Sequence, residues 1–114
     1  VVLDQLVSRG ETVAVAESLT AGMLGARFGG VPGASKAFVG GLITYSDSQK
    51  HSLLGVDPST LAEHGAVSES VAMQMAAGAR QRSQAHWALS LTGFAGPDGG
   101  TEADPVGTVY IGLA

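Results

Sequence analysis

Thr12-Val13-Ala14-Val15-Ala16, running into Glu17-Ser18-Leu19-Thr20-Ala21-Gly22, is the stretch that decides the fold. Five β-compatible, mostly apolar residues in a row read as a buried strand. The polar, small-residue turn behind them leads into a helical pattern from Thr20 to Phe28, closed by Gly29-Gly30. A buried strand feeding a helix through a tight turn is the unit of layered α/β domains. The free amides of such a helix start suit phosphate or carboxylate, although Ser18 or Thr20 could equally serve as a plain N-cap.

Working outward, the same alternation continues on both sides. Val1 to Arg9 carries Val2, Leu3, Leu6 and Val7 at helical spacing, and Gly10 is placed as its stop. Val31-Pro32-Gly33-Ala34-Ser35 reads as a loop, punctuated by proline and glycine. Phe38 to Tyr45 is expected as a central strand whose glycines allow close packing. Helices follow from Asp47 to Leu54, from Asp57-Pro58 to His64, and from the Ser68 cap through Arg82. Trp87 to Thr92 and Val106 to Ala114 read as strands on either side of a glycine-rich loop, Gly93 to Asp104. The predicted architecture is a three-layer α/β/α sandwich with a mixed sheet, in one domain spanning residues 1–114.

Composition removes several function classes. Net charge is −4, with six fixed cations scattered along the chain, so no basic surface for nucleic acid is expected. The absence of cysteine excludes disulfides, zinc–thiolate sites and cysteine nucleophiles within these 114 residues. No apolar run approaches the ~20 residues that span a bilayer. The chain starts at Val1 and stops inside an apolar run, so a fragment is expected.

The chemistry concentrates between Gly33 and Lys50. Ser46-x-x-Gln49 has the form of a capping box, with Ser46 as N-cap and Gln49 at N3. Tyr45 then falls at N′ and Lys50 at N4, positions that meet across a helix start. An ammonium there faces the positive end of the helix dipole, which disfavours its charge. A lysine neutral near pH 7 is a general base, and a nearby serine is the nucleophile it would activate. The ordinary alternative is a charged, solvated lysine in the first turn of a surface helix. Lys36 is the poorer base, because neighbours in an extended segment point to opposite faces. His51, His64 and His86 have no context for a Ser-His-Asp arrangement, and Asp98, Glu102 and Asp104 lack the EF-hand spacing. Thr92-Gly93-Phe94-Ala95-Gly96-Pro97-Asp98-Gly99-Gly100 offers glycines that let amides approach an anion, but no P-loop lysine follows.

Taken in order, Ala16-Glu17-Ser18-x-Thr20-x-Gly22, Val31-Pro32-Gly33-x-Ser35, Gly41-x-x-Thr44-Tyr45-Ser46, Lys50, Leu54-Gly55-Val56, Gly65-Ala66-Val67-Ser68, the Thr92–Gly100 run and Pro105-Val106-Gly107-Thr108-Val109-Tyr110 resemble one known family. It is the C-terminal domain of the CinA (competence/damage-inducible) proteins, which also occurs alone as nicotinamide mononucleotide amidohydrolase. The resemblance implies a cytoplasmic homo-oligomer that hydrolyses a pyridine nucleotide carboxamide with a Ser/Lys pair, without metal or cofactor. It places the nucleophile on Ser35, the base on Lys50 and an assisting phenol on Tyr45, with Ser18 as a further site residue. Substrate contacts are implied at Glu17, Thr20, Gly22, Gly33, Thr92, Gly93 and Gly96. The alternative is a non-catalytic nucleotide-binding or oligomerisation module. Two departures stand out. Leu19 and Ala21 occupy positions where many relatives carry Cys and Gly, and an alanine there argues against a positive φ. Relatives also continue into another strand and a closing helix, so an exposed sheet edge is expected.

Overall fold

Gly10 takes φ 67 and ends the first helix, α1 (Val2–Arg9), where the sequence placed its stop. The computed structural model describes all of residues 1–114. After α1 come β1 (Val13–Glu17), α2 (Met23–Gly29), a 3-10 turn at Ala34–Lys36 and β2 (Phe38–Ile43). The second half holds α3 (Asp47–Leu54), α4 (Pro58–His64), α5 (Glu69–Ser83), β3 (Trp87–Gly93) and β4 (Val109–Leu113).

The four strands form one mixed sheet in the order β2-β1-β3-β4. β1 is parallel to both of its neighbours, and β4 runs antiparallel to β3. The central strand is β1, not the Phe38–Ile43 strand expected there. β1 is buried at all five positions, whereas β2 alternates half-buried and exposed residues, as an edge strand does.

Strand alternation sends Val13, Val15 and Glu17 to one face and Ala14 and Ala16 to the other. On the first face, α1 and the 3-10 turn bring Leu3, Leu6, Ala34 and Ala37 onto Val13, with Phe28 and Phe38 stacked beside them at 5.5 Å. On the second, α3 and α5 place Leu54, Val71, Met75 and Ala79 on Ala16 and Ala88. Gly78 makes that approach possible, since a Cβ there would run into the Leu54 carbonyl. Helices thus lie on both faces and complete the three layers. The first face is covered only over β1 and β2. Over β3 and β4 it leaves Trp87, Val109, Ile111 and Leu113 exposed, the last two at 69 % and 64 %.

The parallel strands fix where a site can lie. β1 and β2 both end towards Ser18 and Thr44, and Thr44 N–H donates to the Glu17 carbonyl at 2.8 Å. Open α/β sheets hold ligands at this carboxyl end of the strands.

Candidate active site

Glu17 organises the turn after β1. Its carboxylate accepts from the amides of Gly22 (3.2 Å), Leu24 (2.9 Å) and Gly25 (2.8 Å), capping α2 from a residue outside the helix. Burial pushes this carboxyl up, but the Thr20 hydroxyl beside it and the Gly25, Leu24 and Gly22 amides together hold it below the ordinary glutamate range. The Thr20 hydroxyl itself falls short of hydrogen-bond geometry with any partner. Ala21 adopts φ 51 and Gly22 φ 111, so the left-handed turn forms despite the alanine. That conformation costs an L-residue roughly 1–2 kcal/mol, offset here by the three amide bonds that Glu17 receives.

α3 supplies the second half of the site. The Ser46 hydroxyl caps it, accepting from Gln49 N–H at 3.3 Å, as the capping-box spacing predicts. Lys50 then points inward and is 1 % exposed. Its Nζ donates to Ser18 Oγ at 3.0 Å, to the Thr44 carbonyl at 3.0 Å and to the Tyr45 carbonyl at 3.2 Å. Tyr45 therefore meets Lys50 through its backbone, while its side chain is turned out and the residue is 66 % exposed. Burial pushes the lysine below its ordinary value, and the Asp47 carboxylate, 3.9 Å away, pushes back.

Two carbonyls and one hydroxyl around a buried amine have a chemical consequence. A neutral amine keeps two N–H donors and one lone pair. The Thr44 and Tyr45 carbonyls can only accept, so they hold the two hydrogens. The lone pair is left facing Ser18 Oγ, which can donate. This is the arrangement of a general base on an alcohol. Ser18 N–H is committed to the Leu91 carbonyl. The amides of Leu19 and Thr20 make no hydrogen bond within the chain, so two donors stand free next to the hydroxyl.

Ser18 and Lys50 open into a cavity of about 220 Å³, also lined by Leu19, Tyr45, Asp47 and Phe94. Sites for whole drug-sized ligands start at roughly 300 Å³. The cavity therefore suits the reacting end of a larger molecule.

The other residues expected at the site are distributed unevenly. Ser35 is exposed on the 3-10 turn before β2, next to Ala37, whose carbonyl accepts from Val13 N–H at the start of β1. Seven residues of extended chain, at about 3.3 Å each, separate Ala37 from Thr44. Within one chain Ser35 and Gly33 thus lie at the far end of the sheet, on the order of 20 Å from the lysine. Lys50 meets Ser18 instead. Thr92 and Gly93 line the cavity, but the Thr92 hydroxyl is committed to the Ala66 carbonyl at 2.8 Å. Gly22 N–H and the Glu17 carboxylate are bound to each other, and of the Thr20–Gly22 amides only that of Thr20 is free. Gly96 belongs to the 94–108 loop beyond the cavity lining, at φ 82. Two contributors had no signal of their own in the sequence: Asp47, which resembles any acidic first-turn residue, and the Leu19 amide, which every residue possesses.

Comparison with known proteins gives the family of the fold. The model of the CinA C-terminal domain matches residues 1–114. The chain belongs to the CinA C-terminal domain family. A CinA-like protein of Chlorobaculum tepidum is 56 % identical over 114 residues, which is 100 % of this chain and 27 % of that protein. One from Cyanothece sp. is 58 % identical, covering 99 % of this chain and again 27 % of the relative. The chain therefore spans about a quarter of the length of these curated relatives. Among solved structures, the competence/damage inducible protein CihA of Agrobacterium tumefaciens superposes with a TM-score of 0.95 at 38 % identity, over 98 % of this chain and 68 % of that one. A CinA superfamily protein of Escherichia coli gives 0.92 at 34 % identity, over 96 % and 64 %. No helix of this CinA domain is long and apolar enough to cross a membrane.

Proposed function

We propose that this CinA domain is a Ser/Lys amidohydrolase that converts nicotinamide mononucleotide and water into nicotinate mononucleotide and ammonia. The observation that carries the reading is the buried Lys50 amine, held by two carbonyls and directed at Ser18 Oγ. Neutral Lys50 takes the Ser18 proton as the oxygen attacks the carboxamide carbon. The free Leu19 and Thr20 amides receive the oxyanion, a contribution worth on the order of 10²–10³ in rate per donor. Lys50 then returns its proton to the departing ammonia. Water, deprotonated by the same amine, clears the acyl-enzyme and restores Ser18.

The substrate phosphate falls to the loop after β3. The amides of Ala95, Gly96, Gly99 and Gly100 have no partner within the chain, and no arginine lines the cavity. In this reading Ser18 is the nucleophile, and Ser35, placed in that role by family likeness, lies apart from the lysine of its own chain.

Ammonia release from nicotinamide mononucleotide by the folded chain, beside Lys50→Ala, tests the proposal. Activity is expected, and its loss by about 10²–10⁴ in the variant matches removal of a general base. A folded but inert wild type would favour the non-catalytic binding module.

A further inference from the structure

Ser18 and the free Leu19 and Thr20 amides lie on a segment that one residue, Glu17, holds at both ends. The backbone of Glu17 belongs to the sheet. Its carbonyl accepts from Thr44 N–H at 2.8 Å, and Ser18 N–H next to it donates to the Leu91 carbonyl at 3.0 Å. The Glu17 side chain reaches across the turn instead, and its carboxylate accepts from the Gly22, Leu24 and Gly25 amides. Ser18 to Ala21 is therefore a loop closed on a residue that is itself 1 % exposed.

Packing alone holds the start of α2 weakly. The helix has no fully buried residue, and its Phe28, stacked on Phe38, lies at the far end. Within the loop, Ala21 N–H donates to the Ser18 carbonyl, and Ala21 is kept at φ 51. An L-residue leaves that conformation once its restraint is removed, because its Cβ crowds the backbone. Relaxation at Ala21 turns the peptides just before it, which carry the Leu19 and Thr20 amides. Ser18 and Lys50, anchored in the ladder and on α3, would stay in contact.

We infer that Glu17 is a positioning residue: through the Ala21–Gly22 turn, its carboxylate aims the Leu19 and Thr20 amides at the oxygen of a group attacked by Ser18. The inference rests on the Ser/Lys reading above and adds the side chain that preorganises its oxyanion donors. Glu17 touches neither the substrate nor the reacting atoms.

A fluorophosphonate probe reads this whatever the natural substrate is. The Ser18 oxygen bonds to phosphorus, fluoride leaves, and the hydroxyl proton passes to Lys50, while the phosphoryl oxygen takes the oxyanion's place. Labelling of Ser18 in the folded wild type, followed by mass spectrometry, is expected. Glu17→Gln keeps the shape but sets an amide N–H against one of the α2 donors. Its labelling is expected to slow by about 10²–10³, the scale of one lost oxyanion donor. The pH at which the rate rises belongs to Lys50 and should not move, so that only the plateau falls. Glu17→Asp keeps the charge but shortens the reach; slower labelling is expected there too, and it carries the test if the amide variant does not fold. Glycine adopts the left-handed turn without restraint, so in an Ala21→Gly background the loss from Glu17→Gln should shrink by about tenfold. An unlabelled wild type, an unchanged plateau in a folded variant, or an equal loss in the Ala21→Gly background would each overturn the assignment. Slowed labelling in the variants, beside a wild type that releases no ammonia from nicotinamide mononucleotide, would remove the amide reading and leave the role of Glu17 standing.

Discussion

At the residue scale, two buried ionisable groups do opposite work. Glu17 is held ionised, and Lys50 is pressed towards its neutral form. The Glu17 carboxyl sits below its ordinary range, so its contribution to stability is complete above the unfolded-state value and fades as pH falls through the folded one. Glu17→Ala should destabilise the domain by about 3 kcal/mol, because three amides lose a charged acceptor. Urea denaturation at pH 7 and pH 4 measures it, and the difference between wild type and variant should shrink at the lower pH. Lys50 is depressed instead, by burial and against the pull of Asp47. The neutral, reactive form therefore grows as pH rises through that lowered value, giving kcat/KM a rising limb below the ordinary lysine range. Asp47→Asn removes the opposing charge and should move this limb to lower pH in a pH–rate profile. The lysine was legible in the sequence, since a first-turn position behind a capping box is a local pattern. Its partner was not. Ser35 is only 15 positions from Lys50, but an entire strand lies between them and carries the chain from one end of the sheet to the other.

At the element scale, the turns and caps were the readable part. Gly10, Ser46, Asp57-Pro58 and Ser68 each stop or start a helix as local chemistry dictates. Strand order was not readable, because β-rich composition in Phe38–Ile43 says nothing about how many neighbours a strand has. The Ala21 conformation was misjudged for a related reason. A preference of 1–2 kcal/mol yields to the Glu17 cap, which reaches back from the preceding strand. Helix α5 gives the sharpest test of packing between elements. Gly78→Ala improves helix propensity by about 1 kcal/mol, yet its methyl group would meet the Leu54 backbone of α3. Overpacking costs typically 1–3 kcal/mol and backbone contacts lie at the upper end, so a net loss of about 2 kcal/mol is expected in thermal or urea unfolding. A stabilised variant would mean that α3 and α5 can separate at little cost.

Across the whole molecule, the sheet is covered fully on one face and by half on the other. The candidate site draws on three elements: Ser18 from β1's end, Lys50 from α3, and Phe94 from the loop after β3 line the same cavity. The uncovered β3–β4 face contributes little to the fold of the isolated chain. Ile111→Lys, at a residue 69 % exposed, should change its unfolding free energy by no more than about 0.5 kcal/mol, as read from a denaturant midpoint. The central claim concerns which hydroxyl the buried amine activates, and ammonia release by Ser18→Ala and Ser35→Ala, assayed side by side with matched circular dichroism, tests it most directly. Loss of a hydrolase nucleophile costs on the order of 10⁶ in kcat, so Ser18→Ala is expected to fall to background while Ser35→Ala keeps substantial turnover. Full activity in Ser18→Ala, with Ser35→Ala inert, would contradict the account.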